Sequence, residues 1–318
     1  MKEDLIEEFF SLGGAYKNLN KMDTFEKKLK RSIKELEQED LQLYEVLTLL
    51  KILKSEFENI NFEQVRSMAY PILNRLQNKS ADKWSLFDTR ISVLMVIYTP
   101  TFEEAEKFSR KVLLVLNKFK ADKRYTKLKL YLYSNMLIRA MKAKFFEINE
   151  TAENKERLEN LAELFEECSD EILEICELEE DELFKIFESM TNVRVALFNE
   201  KYKKLDELID RVEKTGGKAL YKYMKSAIYS YLSNAGTKIT KELFAIMCGK
   251  NVRKMREKLD ITIDELAILL GCSKAQITLL ETGERPFYSH QLFIIAQRFG
   301  ITMDELACGE NYTKKAKV

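Results

Sequence analysis

Ten glycines and three prolines are all that 318 residues contain, and this scarcity of chain breakers constrains the fold more than any other feature. Hairpin turns rely on glycine at positive φ, so a chain this poor in glycine has little with which to build sandwiches or barrels. Apolar residues instead recur at helical spacing, as at Leu41, Leu43, Tyr44, Leu47, Leu50 and Leu53, the pattern of a helix that buries one face. The expected fold class is all-α. A change in pattern near residue 249 divides it into a helical array over residues 1–248, a small module over 249–309 and a polar tail over 310–318. About eleven to twelve helices are expected in the array, from ordinary helix and connection lengths.

Composition then removes whole classes of function. Fifty-two basic residues balance fifty-two acidic ones, so any attraction to nucleic acid or anionic lipid has to be local. The longest near-apolar run, Ile91 to Tyr98, falls far short of the roughly 20 residues of a membrane span, and the first residues lack the apolar region of a signal peptide. Five scattered cysteines, Cys168, Cys176, Cys248, Cys272 and Cys308, fit reduced thiols in a cytoplasmic protein without a membrane association. No metal site or cofactor is predicted: His290 has no Cys or Asp at ligand spacing, Cys168 and Cys176 are eight apart, and no glycine-rich phosphate loop occurs. An enzymatic role is not expected.

Within the array, Phe-Glu recurs at Phe25-Glu26, Phe62-Glu63 and Phe102-Glu103, at intervals of 37 and 40 residues. Such spacing predicts stacked helical hairpins, with the aromatic plugging a turn at the start of a second helix and the glutamate facing its N-terminal dipole. Tyr202-Lys203-Lys204-Leu205 is a fainter echo. Leu12-Gly13 followed by Tyr16 is similar to part of a tetratricopeptide first helix, so the array is read as TPR-like. Charge is segregated along it. Residues 102–146 carry twelve basic side chains against four acidic, net +8, and residues 147–188 carry three against seventeen, net −14. Neighbouring hairpins with complementary solvated faces explain this, and a docking surface for a basic partner is the sharper alternative.

A solenoid of hairpins has a concave surface that suits a peptide or a helix. Asn135 and Arg139, four apart, share one face of a helix. Arg90 and Asn192 hold comparable places in the apolar helices Thr89 to Tyr98 and Phe187 to Phe198. These four are the candidate groove residues, against the plainer reading that they cap, snorkel or satisfy a buried carbonyl.

The module has stronger punctuation. Five helices are predicted: Lys250 to Leu259, Ile263 to Leu270, Lys274 to Thr282, His290 to Phe299 and Met303 to Ala307. Thr262 with Glu265 forms a capping box, Gly271 ends that helix and Ser273 caps the next. Helix, three-residue turn and helix is the geometry that lets a second helix enter a major groove. Leu266, Leu270, Ile277 and Leu280 form the expected shared core, with Ala267 at the crossing. The stretch ITIDELAILLGCSKAQITLLETGERPFYSHQLFIIAQRFGITMDEL resembles the Cro-like, lambda-repressor-like helix-turn-helix family. The matching positions are Thr262, Glu265-Leu266-Ala267, Leu270-Gly271, Ser273, Ile277, Glu281, Gly283, Ile295-Ala296, Gly300 and Asp304-Glu305-Leu306. The resemblance implies binding of double-stranded operator DNA, with base edges met by Lys274, Ala275, Gln276, Thr278 and Leu279 behind the cap Ser273. Lys274 would donate to guanine, Gln276 would pair bidentately with adenine, Ala275 would touch a thymine methyl and Arg285 would take a phosphate.

The sequence departs from that family at Ile263, where a glutamine often touches the backbone, at Glu284, where a basic residue is usual, and at the apolar Leu279. Residues 251–309 carry seven basic and eight acidic side chains, net −1. Phosphate neutralisation supplies most non-specific affinity, so this balance argues for weak or conditional DNA binding. The alternative is an adaptor or antagonist whose module contacts protein, with Ile263, Ile268, Leu269 and Leu279 exposed or covered by the partner.

The array also resembles the sensor half of Rgg-type peptide-responsive regulators, through Lys83-Trp84-Ser85-Leu86-Phe87-Asp88, Ser134-Asn135-Met136-Leu137-Ile138 and Phe198-Asn199-Glu200-Lys201-Tyr202. In that family the DNA-binding module comes first, and here it comes last. The resemblance implies a signalling peptide or protein partner in the groove that shifts a homodimer and so the spacing of its two reading helices.

Overall fold

The computed structural model describes residues 2–12, 19–36, 40–57, 62–122, 124–149, 151–234, 240–303 and 306. Gly13, Tyr16, Asp304, Glu305, Ala307, Cys308 and the 310–318 tail lie outside them, and with them most of the helix expected from Met303 to Ala307. The described residues are overwhelmingly helical and contain no strand, in agreement with the all-α expectation.

Among the described residues ten α-helices precede the module: α1 Lys2–Leu12, α2 Leu19–Lys34, α3 Leu41–Phe57, α4 Phe62–Asn78, α5 Leu86–Met95, α6 Phe102–Leu116, α7 Tyr125–Lys142, α8 Lys155–Glu177, α9 Glu182–Phe198 and α10 Leu205–Asn234. From α2 to α9 each packs on its successor, and contacts also join α1 to α3, α5 to α7 and α7 to α9. Contact with the next and the next-but-one helix is what stacked helical hairpins produce. The helix starts follow local chemistry. Ser85 and Asp88 cap α5 reciprocally, Thr101 accepts from the Glu104 N–H at α6, and Asp181 accepts from the Leu183 N–H at α9. Each cap satisfies amides that have no partner inside the helix. At Gly217, φ of 76° and ψ of 174° interrupt α10, a backbone geometry that glycine adopts without a Cβ penalty.

The Phe-Glu pairs do not all sit where their spacing predicts. Phe102 does open α6 and is buried beside its cap, and Phe62 opens α4. Phe25 instead lies inside α2, on the stripe it shares with Met22 and Leu29, stacked on Phe9 of α1 at 6.4 Å. Its helix starts earlier than the motif spacing implies because the apolar stripe continues upstream to Met22. The expected Thr89 to Tyr98 helix is α5 followed by a single 3-10 turn over Val96–Tyr98, and α9 begins five residues before Phe187.

The chain folds as two compact units, Met1–Asn199 with Glu207–Lys225 and Glu200–Asp206 with Ser226–Val318. The boundary expected at residues 248 and 249 lies instead inside a continuous helix, α11 Thr240–Lys258. Ala245, Cys248, Val252 and Met255 repeat at helical spacing and are all buried, so nothing stops the helix at residue 249. The remaining helices are α12 Ile263–Leu270, α13 Lys274–Glu281 and α14 Ser289–Phe299. Both α11 and α12 pack on α13, and both also reach α14. The core joins Cys248, Val252 and Met255 of α11 to Leu266, Ala267, Ile277, Leu280, Leu292, Ile295 and Phe299, with Phe287 and Leu306 closing it. Leu270, expected in this core, is only partly buried against it.

Two glycines permit the closest approach. A Cβ on Gly283 would collide with the backbone of Ile246, and one on Gly249 would collide with the carbonyl oxygens of Leu280 and Glu281. Gly283 also needs a φ of 75°, so only glycine satisfies both demands. Beside this crossing Arg256 and Glu281, both buried, form a two-pronged ion pair of 2.6 and 3.1 Å, and Arg256 also donates to the Ile261 carbonyl. A buried charge keeps its ionised form only when so partnered.

Candidate nucleic-acid interface

The sequence places α13 by two signals, both present in the structure. Gly271, at φ of 61°, ends α12, and its N–H returns to the last turn. Ser273 then caps α13 by accepting from the Gln276 N–H at 3.2 Å, while the Gln276 side-chain oxygen accepts from the Ser273 N–H at 2.9 Å. Ile277, Leu280 and Glu281 anchor α13 from below. Its opposite edge is open: Ser273, Lys274, Ala275, Gln276 and Thr278 are exposed, and Leu279 is partly buried. The edge expected to read bases is therefore solvent-facing.

Two of its polar side chains are already engaged. Lys274 Nζ stands 2.6 Å from an Asp264 carboxylate oxygen on α12. The Gln276 oxygen serves the cap, which leaves its amide N–H groups to donate. Bidentate pairing with adenine needs that oxygen to accept from the base, so it requires the cap to open. Thr278 returns its hydroxyl to the Lys274 carbonyl at 3.1 Å. Arg285 is exposed just beyond the helix, its N–H held by the Leu279 carbonyl at 3.0 Å.

The acidic residues divide by burial. Glu281 is paired with the buried Arg256, and leaving that pair out of the sequence count for residues 251–309 leaves the net charge at −1. Glu265 accepts from the Thr262 N–H at 2.7 Å and from its hydroxyl, which holds its carboxyl below the usual carboxylate range. Asp264 and Glu284 are exposed. The sequence alone supplies these charges without their partners. Asp264 and Lys274 are ten residues apart and pair because the turn folds α13 back across the start of α12. His290 is exposed and stacks on Tyr288 at 5.7 Å. Ile268 is 81% exposed, whereas Ile263 and Leu269 are partly buried against the core.

The four groove candidates in the array fare differently. Arg90 is buried, pairs with Glu7 of α1 at 2.5 and 3.2 Å, and lies 3.7 Å above the Phe10 ring. Arg139 is 1% exposed and donates to Glu147 at 2.8 Å and to the Pro100 carbonyl at 3.2 Å. Asn135 donates to the Val93 carbonyl at 2.8 Å and lines a small cleft with Leu49, Leu53, Met95 and Tyr98. Asn135 and Arg139 do share a face of α7, and both grip α5 or the segment that follows it. Asn192 is partly buried on α9, and Arg194 of the same helix turns inward to the Ser134 hydroxyl at 2.9 Å. No signal within a single helix tells which of these faces inward.

The segregated charge is partly used between hairpins. Lys129 pairs with Glu171 at 2.7 Å, Lys127 with Asp181 at 3.5 Å and Arg157 with Glu103 at 2.8 Å. Among the described residues no helix is long and apolar enough to cross a membrane, and no group of three His, Cys, Asp or Glu side chains is placed to hold a metal. Burial pushes the Cys168 thiol up to about 12, so it stays protonated.

In comparison with known proteins, residues 252–306 match the helix-turn-helix family. No curated protein and no solved structure matches the chain.

Proposed function

We propose that this protein is a DNA-binding transcription regulator that places α13 against a duplex. The observation that carries the reading is the open edge of α13, from Ser273 to Thr278, on a helix-turn-helix matched over residues 252–306. Lys274 supplies a donor for guanine, Ala275 a methyl for thymine and Gln276 an amide for adenine once its cap opens. Ser273 and Thr278 offer hydroxyls, Leu279 an apolar contact, and Arg285 a phosphate contact that fixes register. Two modules in a homodimer would meet half-sites about 34 Å apart on one side of a duplex. A gel shift with genomic fragments at low and moderate salt tests this. A footprint that disappears in the Lys274→Ala/Gln276→Ala variant supports the reading, and no retarded fragment at any salt refutes it.

The array is the proposed regulatory half, taking a signalling peptide or protein partner that controls operator binding. The peptide class rests on the likeness of residues 83–88, 134–138 and 198–202 to Rgg-type sensors. The cleft beside Asn135 is its proposed point of entry, with Arg90, Arg139 and Asn192 as contacts that a ligand would recruit from their present internal surroundings. Titration calorimetry with candidate peptides tests this half separately: no heat of binding, with Asn135→Ala equal to wild type, removes peptide sensing and leaves DNA binding standing.

A helical adaptor whose module contacts protein is the second reading. It is favoured by the net charge of −1 over residues 251–309 and by exposed apolar side chains at Ile268, Tyr288 and Phe293, the last two 67% and 51% exposed. The same gel shift separates the two, since the adaptor forms no DNA complex.

A further inference from the structure

We propose that Asp264 sets the DNA affinity of the module by neutralising Lys274 before a duplex arrives and by repelling phosphate at the start of α12; this rests on the DNA-binding reading above. The first turn of a helix ordinarily offers free N–H groups and a positive dipole end to an anion. At α12 that offer is withdrawn twice. The Glu265 carboxylate closes the capping box on Thr262, and Asp264 stands exposed one residue before it. Asp264 is also 2.6 Å from the ammonium of Lys274, the first residue of the reading helix.

This pair does little for the fold. The Lys274 and Asp264 side chains are 70% and 51% exposed, and exposed ion pairs contribute little to stability. Its consequence lies in what it presents to a polyanion. A free Lys274 would release one counterion on meeting a phosphate, whereas the paired lysine offers no net charge and must first leave Asp264. Among residues 262–285 the exposed carboxylates, Asp264, Glu265 and Glu284, outnumber the exposed cations, Lys274 and Arg285. Asp264 is a positioning residue here, acting on the duplex through Lys274 and through its own field.

The test uses the full chain and fluorescence anisotropy on a labelled mixed-sequence duplex, comparing wild type, Asp264→Asn, Lys274→Ala and the double variant. Binding is followed from about 50 to about 200 mM salt. Asp264→Asn is expected to tighten binding about three- to tenfold at the lower salt and to steepen the logarithmic salt slope by about one. In the Lys274→Ala background the Asp264→Asn change is expected to bring no gain in salt slope, because the cation it would set free is gone. Asp264→Ser is expected to repeat the Asp264→Asn result, and circular dichroism melts confirm that the variants fold. The inference is overturned if wild type binds and Asp264→Asn equals it in affinity and in salt slope, because the carboxylate then restrains neither Lys274 nor the approach of phosphate. If none of the four proteins binds any duplex, the DNA-binding reading fails and Asp264 has no such role.

Discussion

In the array four arginines are spent between elements: Arg75, Arg90, Arg139 and Arg194 each reach a carboxylate, carbonyl or hydroxyl of another helix or loop. In the module one arginine, Arg256, is spent that way, and Lys274 and Arg285 remain at the surface. A stack of hairpins has many helix ends and buried loop carbonyls to satisfy, and long guanidinium side chains do so at a distance. A compact module of short helices satisfies its ends with local caps and keeps Lys274 and Arg285 at its surface, Lys274 beside the equally exposed Asp264. An arginine in a helical repeat is therefore weak evidence of a binding groove, and a basic residue after a capped turn is stronger evidence of a contact surface.

The largest expected effect probes the exception on the module side. Glu281→Ala leaves Arg256 buried without its carboxylate and is expected to destabilise the module by about 3–5 kcal/mol, read as an early transition in denaturant melts. An unchanged melt would mean that the pair is solvated and the module's charge tally has to be redrawn.

Next comes the array's own cluster. Arg75 joins Glu45 and Asp88, with Lys79 also on Asp88, at 2.7 to 2.8 Å. Burial acts to raise the Asp88 pKa, but Lys79, the Ser85 N–H and Arg75 outweigh it and hold the carboxyl down to about 2. Its folded value lies below the unfolded 3.8, so its stabilisation is full above pH 3.8 and is lost as pH falls toward 2. Burial raises Glu45 despite Arg75, so its contribution has the opposite sign and is lost as pH rises through its folded value. Asp88→Asn is expected to cost about 3 kcal/mol at neutral pH and to flatten the loss of stability between pH 4 and 2 in acid titrations followed by circular dichroism. An acid limb identical to that of wild type would show that Asp88 is not its source.

Gly283→Ala sharpens the comparison from the packing side. Strain at positive φ and the collision with Ile246 predict a loss of roughly 2 kcal/mol or more, read from thermal melts, whereas Gly271→Ala, which meets no neighbour, should lose less, about 1 kcal/mol. Equal losses at both sites would contradict the close crossing of α11 over the end of α13.

The smallest effects belong to the ion pairs between hairpins. Arg157→Ala is expected to change stability by no more than about 0.5 kcal/mol, since Arg157 and Glu103 are each about half exposed. A loss several times larger would make the segregated charge of residues 102–188 structural instead of solvating.

Much of the module was legible because its information is local. Thr262, Glu265, Gly271 and Ser273 mark helix ends through side chains or backbone within a few residues, and the structure has every one of them in that role. The exposed edge of α13 follows from the same signals, since fixing the ends of an eight-residue helix and its apolar positions fixes its other face. The partner of Lys274 was not legible, because Asp264 lies across a turn. In the array helix existence was readable and helix role was not. Arg90 meets Glu7 across 83 positions and Asn135 meets Val93 across 42, so each side chain's task depends on a distant segment. The expected division at residues 248 and 249 falls inside the helix that begins at Thr240, because the pattern changes there without a local signal that stops a helix.

Hydrogen exchange of the full chain with and without a bound duplex addresses the proposed DNA-facing role of α13 most directly. The expected result is protection of the backbone across residues 273–285, where the open edge of α13 and Arg285 meet DNA, with the core amides of α11 unchanged. Protection centred on α14, or none in 273–285 while a retarded complex is present, would contradict that role.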